Sequence, residues 1–164
     1  MKVDIEKLVP EEWIIKRIWD NQLKVYYLNT GRGNSPKPFV FPRLVEINSH
    51  FMEALSMLLG DGTLSDGLHI RFTSIDIDMI SFMMDFFTNT LSVPLNDMTL
   101  TIGCNQINQE IKEICSKAMN VPISKFRIQR SSRSRNVSCD IQITGKVFSL
   151  IFRRVLEKFF SSNF

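Results

Sequence analysis

The sequence predicts an α+β fold, and three observations carry that prediction. Runs such as Leu68–Thr73 and Val137–Thr144 alternate apolar and polar residues, the period-two pattern of strands with one buried face. Other segments, such as Phe51–Leu59 and Ile111–Met119, place apolar residues three and four apart, as helices with one buried face do. From residue 47 onward the two kinds follow in the order helix, strands, helix, strands, helix, with no internal repeat of the whole unit.

The chain has 164 residues, of which 44% are hydrophobic, enough for one cored domain with an appendage. The longest apolar runs fall well short of the roughly 18 residues of a membrane span. The start, MKVDIEKLVPEEW, has no apolar signal core, so a soluble intracellular protein is expected, with no membrane partner. The three cysteines, Cys104, Cys115 and Cys139, form no C-x-x-C pair and no cluster with His50 or His69. Buried free thiols are expected rather than zinc or a disulfide framework.

Residues 1–46 read as an N-terminal helix and extended arm. Pro10 followed by Glu11 and Glu12 suits a helix start, and Ile14, Ile18 and Trp19 give a short apolar stripe. The stretch NTGRGNSPKPFVFPR, dense in Gly, Pro, Asn and Ser, reads as a linker. Its Arg32, Lys37 and Arg43 are candidates to touch nucleic acid, and a plain connector fits equally well.

Residues 47–164 read as the main domain. Asn48 or Ser49 caps a helix running to about Gly60. In the strand that follows, Leu68, Ile70 and Phe72 face one way and His69, Arg71 and Thr73 the other. Ser74–Leu91 is a helix with a broad core-facing stripe of Met and Phe. Met98–Cys104 reads as a short strand and Asn108–Met119 as an amphipathic helix. Two more alternating runs follow, joined by the short positive turn SSRSR. The first buries Phe126 and Ile128 and exposes Lys125, Arg127, Gln129 and Ser131. The second buries Val137, Cys139, Ile141 and Ile143 and exposes Asn136, Ser138, Asp140, Gln142 and Thr144. A final helix, Lys146–Phe160, closes the domain.

The exposed faces of these strands are rich in Arg, Gln, Asn, Ser and Thr, the side chains that read base edges in a major groove. Any one-sided sheet exposes polar residues, but here Asp140 is the only acid among them. Net charge is +3, yet Lys125–Arg135 holds five cations and no acid, so the rest of the chain is slightly acidic. A basic patch of this kind suits a phosphate backbone, although a solvated loop has the same composition.

The stretch LSMLLGDGTLSDG breaks a helix on Gly60-Asp61-Gly62. Asp-Gly is a common turn pair, and Gly62 in a left-handed conformation would end the helix locally. A calcium loop fails on register, because Asp66 occupies the glycine position and Phe72 the closing acid. A phosphate loop fails for want of Gly-Lys-Ser/Thr. Ser56 and Gly60, four apart, form a small-residue seam that lets two backbones approach. Leu55, Leu58 and Leu59 flank the seam and are expected beneath the sheet. The chain has no second helix of this kind, so the mate is expected to be another copy.

ALSMLLGDG resembles the nine-residue motif of the LAGLIDADG homing endonucleases, and the element order over 47–164 resembles that family's αββαββα core. The segment 99–120 looks like an inserted strand and helix. The resemblance implies an antiparallel, saddle-shaped DNA-binding sheet. It also implies that Asp61, assisted by the Gly60 carbonyl, binds Mg²⁺ or Mn²⁺, and that single-motif members act as homodimers on near-palindromic double-stranded DNA. Two such carboxylates about 6 Å apart would repel by about 3 kcal/mol at an effective dielectric near 20, and a divalent cation reverses that sign. Base contacts carried over are His69, Arg71, Thr73, Arg127, Gln129, Ser138, Asp140 and Gln142. Phosphate contacts are Arg130, Arg133 and Arg135, with Lys125 on the same DNA-binding face. Ser74 stands where members place Gln or another polar side chain, and Lys146 or Lys158 stands for the basic catalytic residue. The expected activity is site-specific DNA hydrolysis. The alternative is a binding module on the same fold, a DNA-binding regulator or an RNA maturase.

Overall fold

The computed structural model describes residues 1–31, 33–64, 69–105, 109–130 and 137–163. It is an α+β structure in which helices cover one face of a five-stranded sheet. No described helix is long and apolar enough to cross a membrane.

The N-terminal segment corrects the first expectation. In place of the expected helix from Pro10, residues 1–46 form a short 3-10 helix (Ile5–Leu8) and five short strands: β1 (Lys2–Asp4), β2 (Ile14–Trp19), β3 (Gln22–Tyr26), β4 (Phe39–Pro42) and β5 (Leu44–Glu46). β2, β3 and β4 make an antiparallel sheet in that order, and β1 pairs with β5. The Pro-Glu-Glu signal is local. It loses to pairing that buries Leu23 and Val25 of β3 completely and places Leu23 opposite Phe41. Pro10 instead accepts a turn hydrogen bond from the Trp13 backbone. Of the linker cations, Arg43 lies against Asp4 and Glu6, and Lys37 pairs with Asp97.

The main sheet follows α1 (Ser49–Asp61) and comprises β6 (Gly62–Leu64), β7 (His69–Ser74), β8 (Met98–Cys104), β9 (Phe126–Arg130) and β10 (Ser138–Thr144). Helices α2 (Ile77–Asp85), α3 (Gln109–Met119) and α4 (Lys146–Asn163) complete the chain. Strand order is β6-β7-β10-β8-β9. Every pair is antiparallel except β8 with β9, which is parallel, so the expected all-antiparallel sheet is corrected. β9 and β10 are not a hairpin, because β8 lies between them. The segment expected to be an insertion also shifts: Met98–Cys104 is an interior strand, and α3 with β9 forms the crossover to the sheet edge. At that edge Ile128 is 39% exposed rather than buried.

Ile70, Phe72, Leu100, Ile102, Ile141 and Ile143 point from the sheet into one core with Phe51, Leu58, Met83 and Phe152 of the helices. The N-terminal strands join the same core. Phe148 of α4 lies 4.7 Å from Phe39 and stacks on Phe41 at 5.9 Å between centroids, and the Arg154 guanidinium donates to the Leu8 carbonyl at 2.7 Å.

Candidate functional site

Helix α1 is amphipathic in the ordinary way. The Asn48 side chain accepts from the Phe51 backbone N–H at 3.0 Å and starts the helix. Phe51, Ala54, Leu55 and Leu58, spaced three and four apart, are buried. Glu53, Ser56 and Gly60 lie on the opposite, exposed side. A Cβ built on Gly60 would meet no atom within 4 Å, and the Ser56 hydroxyl turns back to the Met52 carbonyl at 2.9 Å. Leu59 was expected beneath the sheet, but it is 59% exposed and extends this open stripe.

The helix runs into β6 with no intervening residue. Gly62 has φ −95°, extended backbone, so it does not end the helix by a left-handed turn as expected. Close approach requires the glycine instead. Its N–H donates to the Leu58 carbonyl, and a Cβ would fall 2.4 Å from that oxygen. Asp61 therefore sits exposed at the junction of helix and sheet. Among the described residues no hydrogen bond or ion pair engages its carboxylate. It also lies at the negative end of the helix dipole, where a cation is favoured and an acid is not. Among the described residues no three His, Cys, Asp or Glu side chains gather to hold a metal. One chain thus offers a single carboxylate and neighbouring carbonyl oxygens, hard donors suited to Mg²⁺ or Mn²⁺ but incomplete alone.

The two partners expected for Asp61 fall differently. Gly62 faces Phe72 in the β6–β7 register, so Ser74 ends its strand at the same end of the sheet as Asp61. Its hydroxyl, however, accepts from the Asp76 backbone N–H at 3.0 Å in the turn that starts α2, and it lies on the Cys139 side of the sheet. Lys146 is a correction. It follows Thr144, which pairs with His69 at the far end of β7, about 17 Å of strand from Ser74 at ~3.4 Å per residue. Its ammonium lies 5.6 Å from the Tyr27 ring centroid. Lys158 is near the end of α4 and is engaged by other residues.

The uncovered face of the sheet gathers most of the expected contacts into cross-strand rows. One row runs Thr63, Arg71, Gln142, Thr99, and the next runs Thr73, Asp140, Thr101, Arg127. A third runs Ser138, Gly103, Gln129, and His69 faces Thr144. Arg71, Thr99, Thr101, Arg127, Gln129 and Gln142 line one concave groove on this face. Thr99 and Thr101 were missed from sequence, and Thr144 was placed on the exposed face but not among the contacts. The alternation of Met98–Cys104 held the signal for Thr99 and Thr101, which a strand taken as an insertion concealed.

Asp140 is corrected. It is 6% exposed, and one carboxylate oxygen accepts from Arg71 Nε at 2.7 Å and from the Thr73 hydroxyl at 2.9 Å. It organises its neighbours instead of offering an acceptor outward, and it cancels the charge of Arg71. Arg127 is then the cation of the groove that no described acid pairs. Arg130, expected on phosphate, falls by strand alternation on the side of Phe126, opposite Cys104. Lys125 ends a short turn before β9 and donates to the Asn96 side chain. Arg133 and Arg135 lie outside the described residues.

Comparison with protein-family models, with curated proteins and with solved structures returned no match for this chain.

Proposed function

We propose that the protein is a homodimeric, divalent-metal-dependent endonuclease that hydrolyses double-stranded DNA at a near-palindromic site, built on a LAGLIDADG-type core. The supporting observation is Asp61, an exposed and unengaged acid at the end of a helix whose outer stripe, Ser56 to Gly60, is open to a second copy. The order α1-β6-β7-α2-β8-β10-α4, with α3 and β9 as an added crossover, agrees with the motif-bearing core. Pairing about a twofold axis beside Gly60 brings two Asp61 carboxylates together. The groove rows then grip DNA, Arg127 and Gln129 offering donors to phosphate or base edges and Gln142 and Thr101 offering neutral polar contacts. A divalent cation held by Asp61 and the Gly60 carbonyl would supply Lewis-acid activation of the attacking water and charge stabilisation of the leaving oxygen. The protein's part is to hold the carboxylates at the sheet end and to position the duplex.

A second reading, a DNA-binding regulator or RNA maturase, draws on Ser74 and Lys146. One hydroxyl is committed to a turn, and the ammonium lies far from Asp61.

A selection from randomised duplexes, followed by cleavage of the bound pool, separates the two readings. Staggered cuts that need Mg²⁺, stop with chelator and vanish in Asp61→Asn support the enzyme. Retained binding without cuts in Mg²⁺ or Mn²⁺ supports the module.

A further inference from the structure

A second site lies away from Asp61 and from the groove, where the N-terminal strands meet the first two turns of α4. Trp13 and Tyr27 stack there with ring centroids 4.8 Å apart and planes 26° from parallel. Lys146 holds its ammonium 5.6 Å from the Tyr27 centroid. Arg154, two turns further along α4, spends one nitrogen on the Leu8 carbonyl and still lines the same space. Glu12 and Leu150 complete a cleft of about 500 Å³, within the ordinary range for small-ligand sites.

The lining combines three chemistries. Trp13 and Tyr27 cover one face of each other, so the outer face of Tyr27, over which the mobile Lys146 ammonium stands, is the flat surface offered to a ligand ring once that ammonium turns to the phosphate. Two cations outnumber one carboxylate, and that carboxylate accepts hydrogen bonds. A flat ring carrying an N–H edge and a doubly charged anion meets all three. Base–aromatic stacking beside Lys or Arg is the general means by which unpaired nucleotides are held. A base inside a duplex has both faces covered and cannot use the rings.

We propose that this cleft binds an unpaired nucleobase with its phosphate, the base against the Trp13–Tyr27 pair and the phosphate on Lys146 and Arg154. Glu12 accepts from the base edge. The shared ligand chemistry is a nucleoside phosphate, whether free or as part of a single strand. This reading of the N-terminal segment stands independently of the nuclease proposal.

The chain has two tryptophans, and Trp19 is 72% exposed, so full-length Trp19→Phe leaves Trp13 as the sole indole reporter. Its emission is titrated with thymidine monophosphate, single-stranded octathymidylate, thymidine and a short duplex. Both phosphate-bearing single-stranded probes should quench it, thymidine should bind more weakly, and the duplex should not quench. Tighter binding of octathymidylate than of the monophosphate identifies a strand as occupant, and equal binding identifies the free nucleotide. Adding Lys146→Gln should weaken both phosphate probes about tenfold, the loss of one charge-assisted hydrogen bond, and leave thymidine unchanged. Labelled octathymidylate should still bind Trp13→Phe by anisotropy, because the aromatic surface remains. No quenching by either phosphate probe, equal binding of thymidine, quenching by the duplex, or indifference to Lys146→Gln would each overturn the proposal.

Discussion

Asp140 shows how one side chain sets the character of a face. Its carboxylate accepts two hydrogen bonds across β7 and β10, one from a guanidinium. Asp140→Ala should lower stability by about 1–2 kcal/mol, the loss of a charged hydrogen bond discounted for a half-exposed Arg71. Denaturant midpoints measure this, and an unchanged midpoint would mean the pair is incidental. The cysteines act in the core. Cys115 and Cys139 lie with their sulfurs 3.0 Å apart, and the hydrogen bond between them holds the Cys115 thiol below its ordinary value. Cys139 is pushed the other way, first by that hydrogen bond and then by burial. Burial pushes Cys104 above its ordinary 9.0, Cys115 adds to the rise, and Arg130 opposes it. A folded thiol with a raised pKa keeps a proton that the unfolded chain releases. Its contribution is therefore complete below 9.0 and declines as pH rises beyond it. In reductant, Cys104→Ala should flatten the alkaline loss of stability in urea titrations; an equally steep loss would assign it to other groups.

Among the elements, α1 carries the most consequence. Ser56 is exposed and Gly60 meets nothing, so on the proposed homodimer reading Ser56→Trp should leave the subunit folded and convert dimers to monomers in sedimentation. A persistent dimer would move the interface elsewhere. α4 is held differently. Phe148 touches Phe39 and Phe41, and Phe148→Ala should cost about 3–5 kcal/mol by thermal or chemical unfolding. These two helices also show what the sequence revealed. α1, α2, α3, α4, β7, β8 and β10 were legible because each has one buried face, which prints its period on the chain. β2 was not. It is an edge strand with Arg17, Ile18 and Trp19 all exposed, so no alternation marks it, and helix-start residues nearby filled the silence. The order of β8, β9 and β10 was hidden for another reason, because pairing partners are chosen across the sheet and leave no local mark. Asp140 was misjudged on the same account. Its partner is sixty-nine residues away, and only the register brings them together.

At the scale of the molecule, two surfaces stand apart: a polar groove on the bare sheet and an aromatic cleft beside the N-terminal strands. On the proposed reading, binding to DNA is salt-dependent through the groove. Arg127→Ala should reduce the slope of log affinity against log salt by about one, measured by anisotropy at several salt concentrations; an unaltered slope would remove Arg127 from the phosphate contacts. The direct passage from α1 into β6 has a further effect. With no loop to stretch, and with Gly62 pressed against Leu58, the span from the acid to the groove rows is a fixed gauge. In the proposed nuclease such a gauge would set the offset between the bases gripped and the bond attacked. On that reading cuts should fall at one spacing on every substrate, and a residue inserted at this joint should shift the spacing or abolish it.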